Sequence, residues 1–166
     1  MSRLDSFIRR LEAQRACLDY AVSLLQNLSG IAIELGLGNG RSYDHLRERL
    51  GRSRAIYALD RQLAAHPDCV PAELLLGEFR DSLPRLLGRI GRSVALVHAD
   101  TGSGDANASR AQAIELPAFL DPLLVPGALV VSDQDMKPRW EALPLPAGVA
   151  PGRYFIWRRS ANHSPA

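Results

Sequence analysis

The spacing of apolar residues at the start of the chain predicts one long amphipathic helix. Apolar side chains recur close to the helical period of about 3.6 residues from about Arg3 to Leu28. Ser29 and Gly30 then end the pattern, because serine and glycine favour turns over helix interiors. The apolar stripe of this helix is expected to pack against the core or an interface.

After Gly30, short apolar runs alternate with segments of helical pattern. Five runs predict strands, over 30–35, 55–59, 73–76, 94–98 and 129–132. The segments between them predict helices over Ser42–Leu50 and Ser82–Ile90. In the second of these, Ser82 is the expected cap and Pro84 lies in the first turn. A third helix is expected before the fifth strand, where Pro117 and Pro122 interrupt the pattern. Strands that alternate with helices indicate parallel pairing with helices on both faces of the sheet.

The last part of the chain differs in composition from the rest. Four prolines between positions 138 and 151 exclude a long helix there. Residues Arg153–Arg159 have the aromatic and β-branched content of a sixth strand, which is expected to close an edge of the sheet. Residues 160–166 are expected to form a loose tail.

These patterns together predict one α/β domain over residues 1–166, with residues 1–28 as its N-terminal helix. The predicted architecture is a doubly wound, mostly parallel, Rossmann-like sheet of about six strands, with helices on both faces. A length of 166 residues suits one hydrophobic core.

Composition narrows the class of protein further. The apolar share of 46% and the charged share of 23% are typical of a globular protein. No apolar run reaches the roughly 18 residues of a membrane span, and the first residues lack a signal-peptide pattern, so a cytoplasmic location is expected. Cys17 and Cys69 are then expected to be free thiols. Acidic residues run through the same segments as the arginines, which disfavours nucleic acid as a partner.

A glycine cluster, Glu34-Leu35-Gly36-Leu37-Gly38-Asn39-Gly40, lies between the first predicted strand and the following helix. Ligands of doubly wound sheets bind beyond the carboxyl ends of such strands. Glycines at alternate positions let the backbone approach a ligand and adopt dihedral angles that other residues avoid. The spacing differs from the G-x-G-x-x-G of dinucleotide sites, and the acid before the first glycine would repel a pyrophosphate but attract an ammonium group.

The cluster ELGLGNG resembles the first motif of class I S-adenosylmethionine-dependent methyltransferases, and four later elements continue the resemblance in order. They are Asp60 after the second strand, Gly77-Glu78-Phe79 after the third, His98-Ala99-Asp100-Thr101 at the end of the fourth, and the stretch Leu124–Asp133, in which Ala128 replaces a glycine of the family pattern. The chain is also similar to small bacterial proteins described only as S-adenosylmethionine methyltransferases. The cofactor is therefore expected to be S-adenosyl-L-methionine.

The resemblance also implies roles for individual residues. The loop Gly36, Leu37, Gly38, Asn39 and Gly40 would pack on the methionine and ribose, with Glu34 shaping the pocket. Asp60, next to Arg61, would bind the ribose hydroxyls as a bidentate acceptor. Glu78 and Phe79 would contact the adenine, with the ring of Phe79 stacked on it. Asp100 and Thr101 would face the methionine end, and His98 and Asp100 are the candidate catalytic residues.

Each of these assignments has a structural alternative. The glycine loop could be a tight turn without a ligand, Asp60 could cap a following helix, and Glu78 could be a solvated loop acid. His98 is as well explained by a hydrogen-bonded core imidazole as by proton transfer. Polar residues of the first helix, among them Arg15 and Tyr20, could cover the cofactor, but most are expected to face water.

The expected activity is methyl transfer to an unidentified, small-molecule acceptor. Candidate bases at the carboxyl edge are His98, Asp100, Asp105, Asp133 and Asp135. Asp100 and Asp133-Gln134 resemble the metal ligands of metal-assisted O-methyltransferases, but glutamine replaces asparagine and no lysine follows Asp100, so no metal is assigned. The alternatives are an NAD(P)-dependent oxidoreductase and a non-catalytic S-adenosylmethionine-binding protein.

A homodimer is expected. The chain has little room for a segment that recognises the acceptor, so a second subunit would complete the acceptor pocket. The first helix and the edge strand within Arg153–Arg159 are the two candidate interfaces.

Overall fold

A seven-stranded sheet forms the centre of the fold in the computed structural model, which describes residues 2–25, 27–102 and 104–160. Its strands are β1 (Ile31–Leu35), β2 (Ile56–Asp60), β3 (Glu73–Leu76), β4 (Val94–Ala99), β5 (Leu124–Ser132), β6 (Glu141–Ala142) and β7 (Phe155–Arg158). They lie in the order β3-β2-β1-β4-β5-β7-β6. The first five are parallel, whereas β7 runs antiparallel to β5 and β6 antiparallel to β7.

Helices cover both faces of this sheet. They are α1 (Arg3–Leu24), α2 (Arg41–Leu50), α3 (Phe79–Ile90) and α4 (Ala106–Leu120), and a short 3-10 turn spans Pro67–Cys69. One apolar cluster joins α1 and α2 to one face, and a second joins α3 and α4 to the other. Every residue of β4 is buried, because this central strand has helices on both sides. The predicted Rossmann-like α/β class is therefore confirmed.

Several predicted boundaries are wrong, each for a local reason. The first helix ends at Leu24 rather than Leu28, and the carbonyl oxygen of Leu28 instead accepts a hydrogen bond from Arg54 Nη2, at 2.8 Å. The third helix begins at Phe79, with Glu78 as its cap, so Ser82 lies inside it and donates its hydroxyl to Glu78 O. Pro84 consequently lies in the helix interior and not in the first turn.

The two later prolines and the fifth strand also differ from the predicted pattern. Pro117 lies inside α4, which continues to Leu120, whereas Pro122 follows that helix. Strand β5 begins at Leu124, five residues earlier than the apolar run indicated, because pairing with β4 starts there.

The C-terminal edge contains a strand that the pattern did not predict. Residues Glu141–Ala142 form β6, which is too short to show an alternation, and the amide of Leu143 donates to Ile156 O at 2.8 Å to extend the pairing. The strand over Phe155–Arg158 is therefore flanked by β5 and β6 and is not itself the edge. Of the predicted tail, residues 161–166 lie outside the described residues.

Other features of the described chain bear on the predicted class. Cys17 and Cys69 are both free, and burial raises the pKa of the Cys17 thiol to about 11. Within residues 2–25, 27–102 and 104–160, no helix combines the length and apolar character that a membrane span requires.

Candidate functional site

The glycine loop between β1 and α2 has left-handed backbone at each of its three glycines. Their φ angles are 81° at Gly36, 51° at Gly38 and 86° at Gly40. A Cβ atom on Gly36 would lie 2.1 Å from the carbonyl oxygen of Asp100, whereas one on Gly38 would meet nothing within 4 Å. The loop thus passes directly over the end of β4 at its first glycine and faces open space at its second.

Asp60, the last residue of β2, binds this loop. Its Oδ2 accepts a hydrogen bond from the amide of Gly38 at 3.0 Å, and its Oδ1 accepts one from the amide of Arg61 at 2.6 Å. The alternative that Asp60 caps a following helix is wrong, because the next helical turn begins at Pro67 and is capped by His66. The carboxylate instead fixes the glycine loop relative to the end of β2.

A cleft of about 320 Å³ opens at this carboxyl edge. Nine of the residues singled out by the resemblance line it, namely Gly36, Leu37, Gly38, Asn39, Asp60, Arg61, Phe79, Asp100 and Thr101. The structure therefore brings together the loop and the ends of β2 and β4 in one cavity.

Three predicted site residues are buried below the cleft, and a fourth lies beside it. Glu34 and His98 have no exposed surface, and Gly40 is buried at the start of α2. Glu78 lines a neighbouring recess of about 210 Å³ that shares Phe79 and Gln112 with the cleft.

The sequence pattern missed several lining residues, most of them on helices. They are Phe7, Arg10, Leu11 and Gln14 of α1, Arg41 and Ser42 of α2, Gly102, and Gln112 of α4. Arg10 and Gln14 are exceptions to the expectation that most polar residues of the first helix face water, since both line the cleft. Arg15 is exposed and Tyr20 half-buried, and neither lines the cleft. The helical period in the sequence places polar residues on the solvent side of the helix. It does not show that α1 lies across the carboxyl edge of the sheet.

Asp100 attaches α1 to the end of β4. Arg10 Nη2 lies 2.6 Å from Asp100 Oδ2 and 2.8 Å from Oδ1, and Gln14 Nε2 donates to Oδ2 at 2.9 Å. Hydrogen bonds between ionised partners of this kind are stronger than neutral ones. The Asp100 carboxylate is therefore both a lining group of the cleft and the polar link between α1 and the sheet.

Glu34 and His98 form a buried hydrogen-bonded pair in the centre of the sheet. The two residues are register partners on β1 and β4, and His98 Nδ1 lies 2.8 Å from Glu34 Oε2. Ser42 donates its hydroxyl to the other carboxylate oxygen, Oε1. Since both oxygens of Glu34 are engaged by the protein, its carboxylate shapes the floor of the site from below.

The second ring nitrogen of His98 also contacts protein groups. His98 Nε2 lies 3.2 Å from Tyr154 Oη and 3.4 Å from Gln14 Nε2. Burial lowers the pKa of His98, but the Glu34 carboxylate, with Asp100 and Asp133, outweighs this, so the pKa is raised above its ordinary value. Of the two interpretations of His98, this geometry favours the hydrogen-bonded core imidazole.

The remaining candidate acids have separate local roles. Asp105 caps α4 by accepting from the amides of Asn107 and Ala108, and Asp135 accepts from the amide of Lys137. Asp133 accepts from the amide of Thr101 at 3.2 Å and from Gln134 Nε2 at 2.9 Å. No group of three or more His, Cys, Asp or Glu side chains within the described ranges is arranged to hold a metal ion.

The two loop glycines make a matched pair for substitution. We expect Gly38→Ala to lower the free energy of unfolding by about 1–2 kcal/mol, the cost of left-handed backbone for an L residue. Gly36→Ala is expected to cost more, because its methyl group also collides with the main chain of Asp100. Urea unfolding of both variants measures the difference, and equal losses would contradict the close approach at Gly36.

The His98–Glu34 pair predicts a pH dependence of stability. A histidine whose pKa is higher in the folded state stabilises that state fully below its unfolded pKa of about 6.5, and this contribution is lost as pH rises through the folded value. The difference in unfolding free energy between the wild type and His98→Gln should therefore shrink above about pH 6.5. Urea titrations of the wild type and His98→Gln from pH 6 to 9 test this. A difference that is constant or grows with pH would argue against a protonated His98.

Comparison with known proteins gives the site its context. A model of the S-adenosyl-L-methionine methyltransferase family matches residues 1–159. The fold superposes on an S-adenosyl-L-methionine methyl transferase from Silicibacter pomeroyi DSS-3 with a TM-score of 0.90 and 45% sequence identity, covering 96% of this chain and 99% of that one. No curated protein matches the sequence.

More distant structures share the fold alone. A protein from Corynebacterium glutamicum is 16% identical with a TM-score of 0.56, covering 92% of this chain and 82% of that one. The plantazolicin methyltransferase BpumL, solved with S-adenosylhomocysteine, is 12% identical with a TM-score of 0.55, covering 78% of this chain and 49% of that one. The family match overturns the nicotinamide oxidoreductase alternative and confirms the predicted cofactor. The chain belongs to the S-adenosyl-L-methionine methyltransferase family and is an S-adenosyl-L-methionine-dependent methyltransferase.

Proposed function

We propose that the chain transfers the methyl group of S-adenosyl-L-methionine to a small-molecule acceptor, with the cofactor bound in the cleft beside the glycine loop. The observation that carries this proposal is the convergence of Asp60, Asp100 and the side-chain-free surface of Gly38 on one cavity. Its volume of about 320 Å³, with the adjoining recess of about 210 Å³, is of small-molecule size.

The chemistry of the cleft fits the cofactor piece by piece. The Asp60 carboxylate keeps acceptor capacity beside its three backbone bonds and would receive the two ribose hydroxyls. Phe79 lines both the cleft and the recess and would lie against the adenine, with Glu78 at the recess wall. The backbone at Gly38 leaves room for the sugar, because a Cβ there would meet no protein atom.

The opposite end of the cleft suits a zwitterion. The aminoacyl part of the cofactor carries an ammonium group and a carboxylate, and Asp100 and Arg10 offer one complementary charge each. These two side chains pair with each other in the structure, so the cofactor would replace one ion pair by two. Gln14, which donates to Asp100, would keep the carboxylate oriented during the exchange.

Methyl transfer from a sulfonium requires little covalent catalysis by the protein, since the leaving group is already activated. The residues of the cleft would bind the cofactor, align its methyl group with the acceptor and exclude water. Thr101 and Gly102 lie at the wall nearest β5 and would border the reacting end, beside Asp100. A base is required only when the nucleophile carries a proton.

The proposed ribose contact gives a direct test by calorimetry with S-adenosyl-L-methionine. Asp60→Asn keeps an acceptor for the Gly38 amide but loses the charge, and we expect binding to weaken by about 1.5–3 kcal/mol, the range for hydrogen bonds to a charged group. Asp68→Asn removes a carboxylate that is 87% exposed and outside the cleft, and should leave the affinity unchanged. Equal affinities for Asp60→Asn and the wild type would reduce Asp60 to a structural residue.

We further propose that the chain forms a homodimer through the N-terminal half of α1. Leu4, Phe7 and Ile8 are 65%, 45% and 45% exposed, and Phe7 also lines the cleft. The alternative interface, at Arg153–Arg159, is less favourable because β6 pairs along the outer side of β7. Light scattering is expected to give the mass of a dimer for the wild type and of a monomer for a Leu4→Glu, Ile8→Glu double variant. A monomeric wild type would refute the proposal.

A further inference from the structure

A cavity of about 380 Å³ lies at the amino ends of β1 and β2, at the edge of the sheet opposite to the cofactor cleft. Its walls are the C-terminal ends of α1 and α2 and the turns that lead into the two strands. Strand β1 has five residues, each of which rises about 3.3 Å, so roughly 16 Å separate its start from the glycine loop. A molecule in this amino-edge cavity is therefore too far from the cleft to receive the methyl group.

Arg54, in the turn before β2, lines the amino-edge cavity with a half-buried side chain. Its Nη2 donates to Leu28 O at 2.8 Å and its Nη1 donates to Gly30 O, so two main-chain contacts fix the guanidinium group. These contacts use two of the five N–H groups of an arginine, which leaves three as donors. The guanidinium is thus held in place and keeps the capacity to bind a ligand.

No acid neutralises the charge of Arg54. Among the residues that the structure describes, no carboxylate lies within ion-pair distance of its side chain. Burial lowers the pKa of Arg54, because desolvation disfavours the charged form. Charges removed from water are normally paired, so the position of Arg54 favours an anion taken from solution.

Arg49, in the last turn of α2, adds a second cation to the wall of the cavity. Its contact with an acid is made through Nε, which lies 2.9 Å from Asp19 Oδ1, so both Nη groups are left as donors. The C-terminal end of a helix carries partial negative charge, which disfavours an anion. At α2 this charge is offset by Arg47, whose Nη2 donates to the carbonyl oxygens of Gly51 and Arg54.

The rest of the lining indicates which anion fits. Ser29 and Ser53 bring two hydroxyl groups, which can donate to an anion beside the two guanidinium groups. Four donor groups match the three terminal oxygens of a phosphomonoester better than the two oxygens of a carboxylate. Val22, Leu25 and Leu50 supply the apolar part of the wall, so a short hydrocarbon group fits beside the anion.

We propose that the amino-edge cavity binds a small phosphomonoester with a short aliphatic group. Arg49 and Arg54 pair with the phosphate oxygens, the two serine hydroxyls donate to them, and the aliphatic group lies against the apolar wall. The cavity shares no lining residue with the cofactor cleft. Its ligand is therefore neither the cofactor nor the acceptor, and the proposal stands independently of the methyl-transfer function.

Titration of the ¹⁵N-labelled wild type with n-butyl phosphate, followed by amide chemical shifts, tests the site without an activity assay. The amides of Ser29, Gly30, Ser53 and Arg54 should shift in a saturable manner, whereas that of Gly38 in the glycine loop should not. n-Butanol, which has the same chain without the charge, should not cause these shifts. Prior saturation with S-adenosyl-L-methionine should not prevent them.

Three arginine variants give the matched comparison. Arg49→Gln should weaken binding of n-butyl phosphate by about fivefold, the scale of a partly exposed ion pair. Arg54→Gln should weaken it by about tenfold or more, because its guanidinium is fixed and half-buried. Arg52→Gln removes an exposed arginine of the same turn that does not line the cavity, and should leave the affinity unchanged.

The absence of saturable shifts at the cavity, equal shifts with n-butanol, or competition by S-adenosyl-L-methionine would overturn the proposal. Equal weakening by Arg52→Gln and Arg49→Gln would also overturn it, since the attraction would then come from the overall charge of the surface. Thermal melting identifies a folding defect in Arg54→Gln, which also loses the contacts with Leu28 and Gly30. In that case the comparison of Arg49→Gln with Arg52→Gln decides.

Discussion

The buried hydrogen bond between Glu34 and His98 is the constraint on which the arrangement of the site depends. Titratable side chains without solvent contact need hydrogen-bond partners, because an unpartnered charge at such a position costs roughly several kcal/mol. Their partners are side chains from α1, α2 and the segment before β7, namely Gln14, Ser42 and Tyr154. The pair therefore ties both helices of one face to the sheet, directly below the cleft.

Several carboxylates lie close together at the floor of the cleft. Glu34, Asp100 and Asp133 lie near one another, with Arg10 as a neighbouring cation. The three carboxylates raise the pKa of Tyr154 in addition to the effect of its burial. An excess of negative charge favours a positively charged ligand over a neutral one of the same shape. The sulfonium form of the cofactor has that charge, and the thioether that remains after methyl transfer lacks it.

Much of the fold was accessible from the sequence because its signals are local. The glycine loop, the apolar runs of β1 to β4 and Asp60 at the end of β2 follow from residue type and spacing. The pairing of Glu34 with His98 could not be predicted, because it requires the order of strands and their register, neither of which the apolar pattern contains. Arg10 and Gln14 were missed for a related reason, since the tilt of α1 over the sheet edge is a tertiary property. The two-residue β6 is too short for any periodic signal.

The short strands at the two margins of the sheet have a consequence for assembly. The margins are β3, with four residues, and β6, with two, and neither offers a long row of unpaired backbone amides and carbonyls. Edges of this length are poor templates for another strand, so the sheet resists both intermolecular extension and fibril growth. Contacts between copies of the chain would then have to be made by side chains on helices.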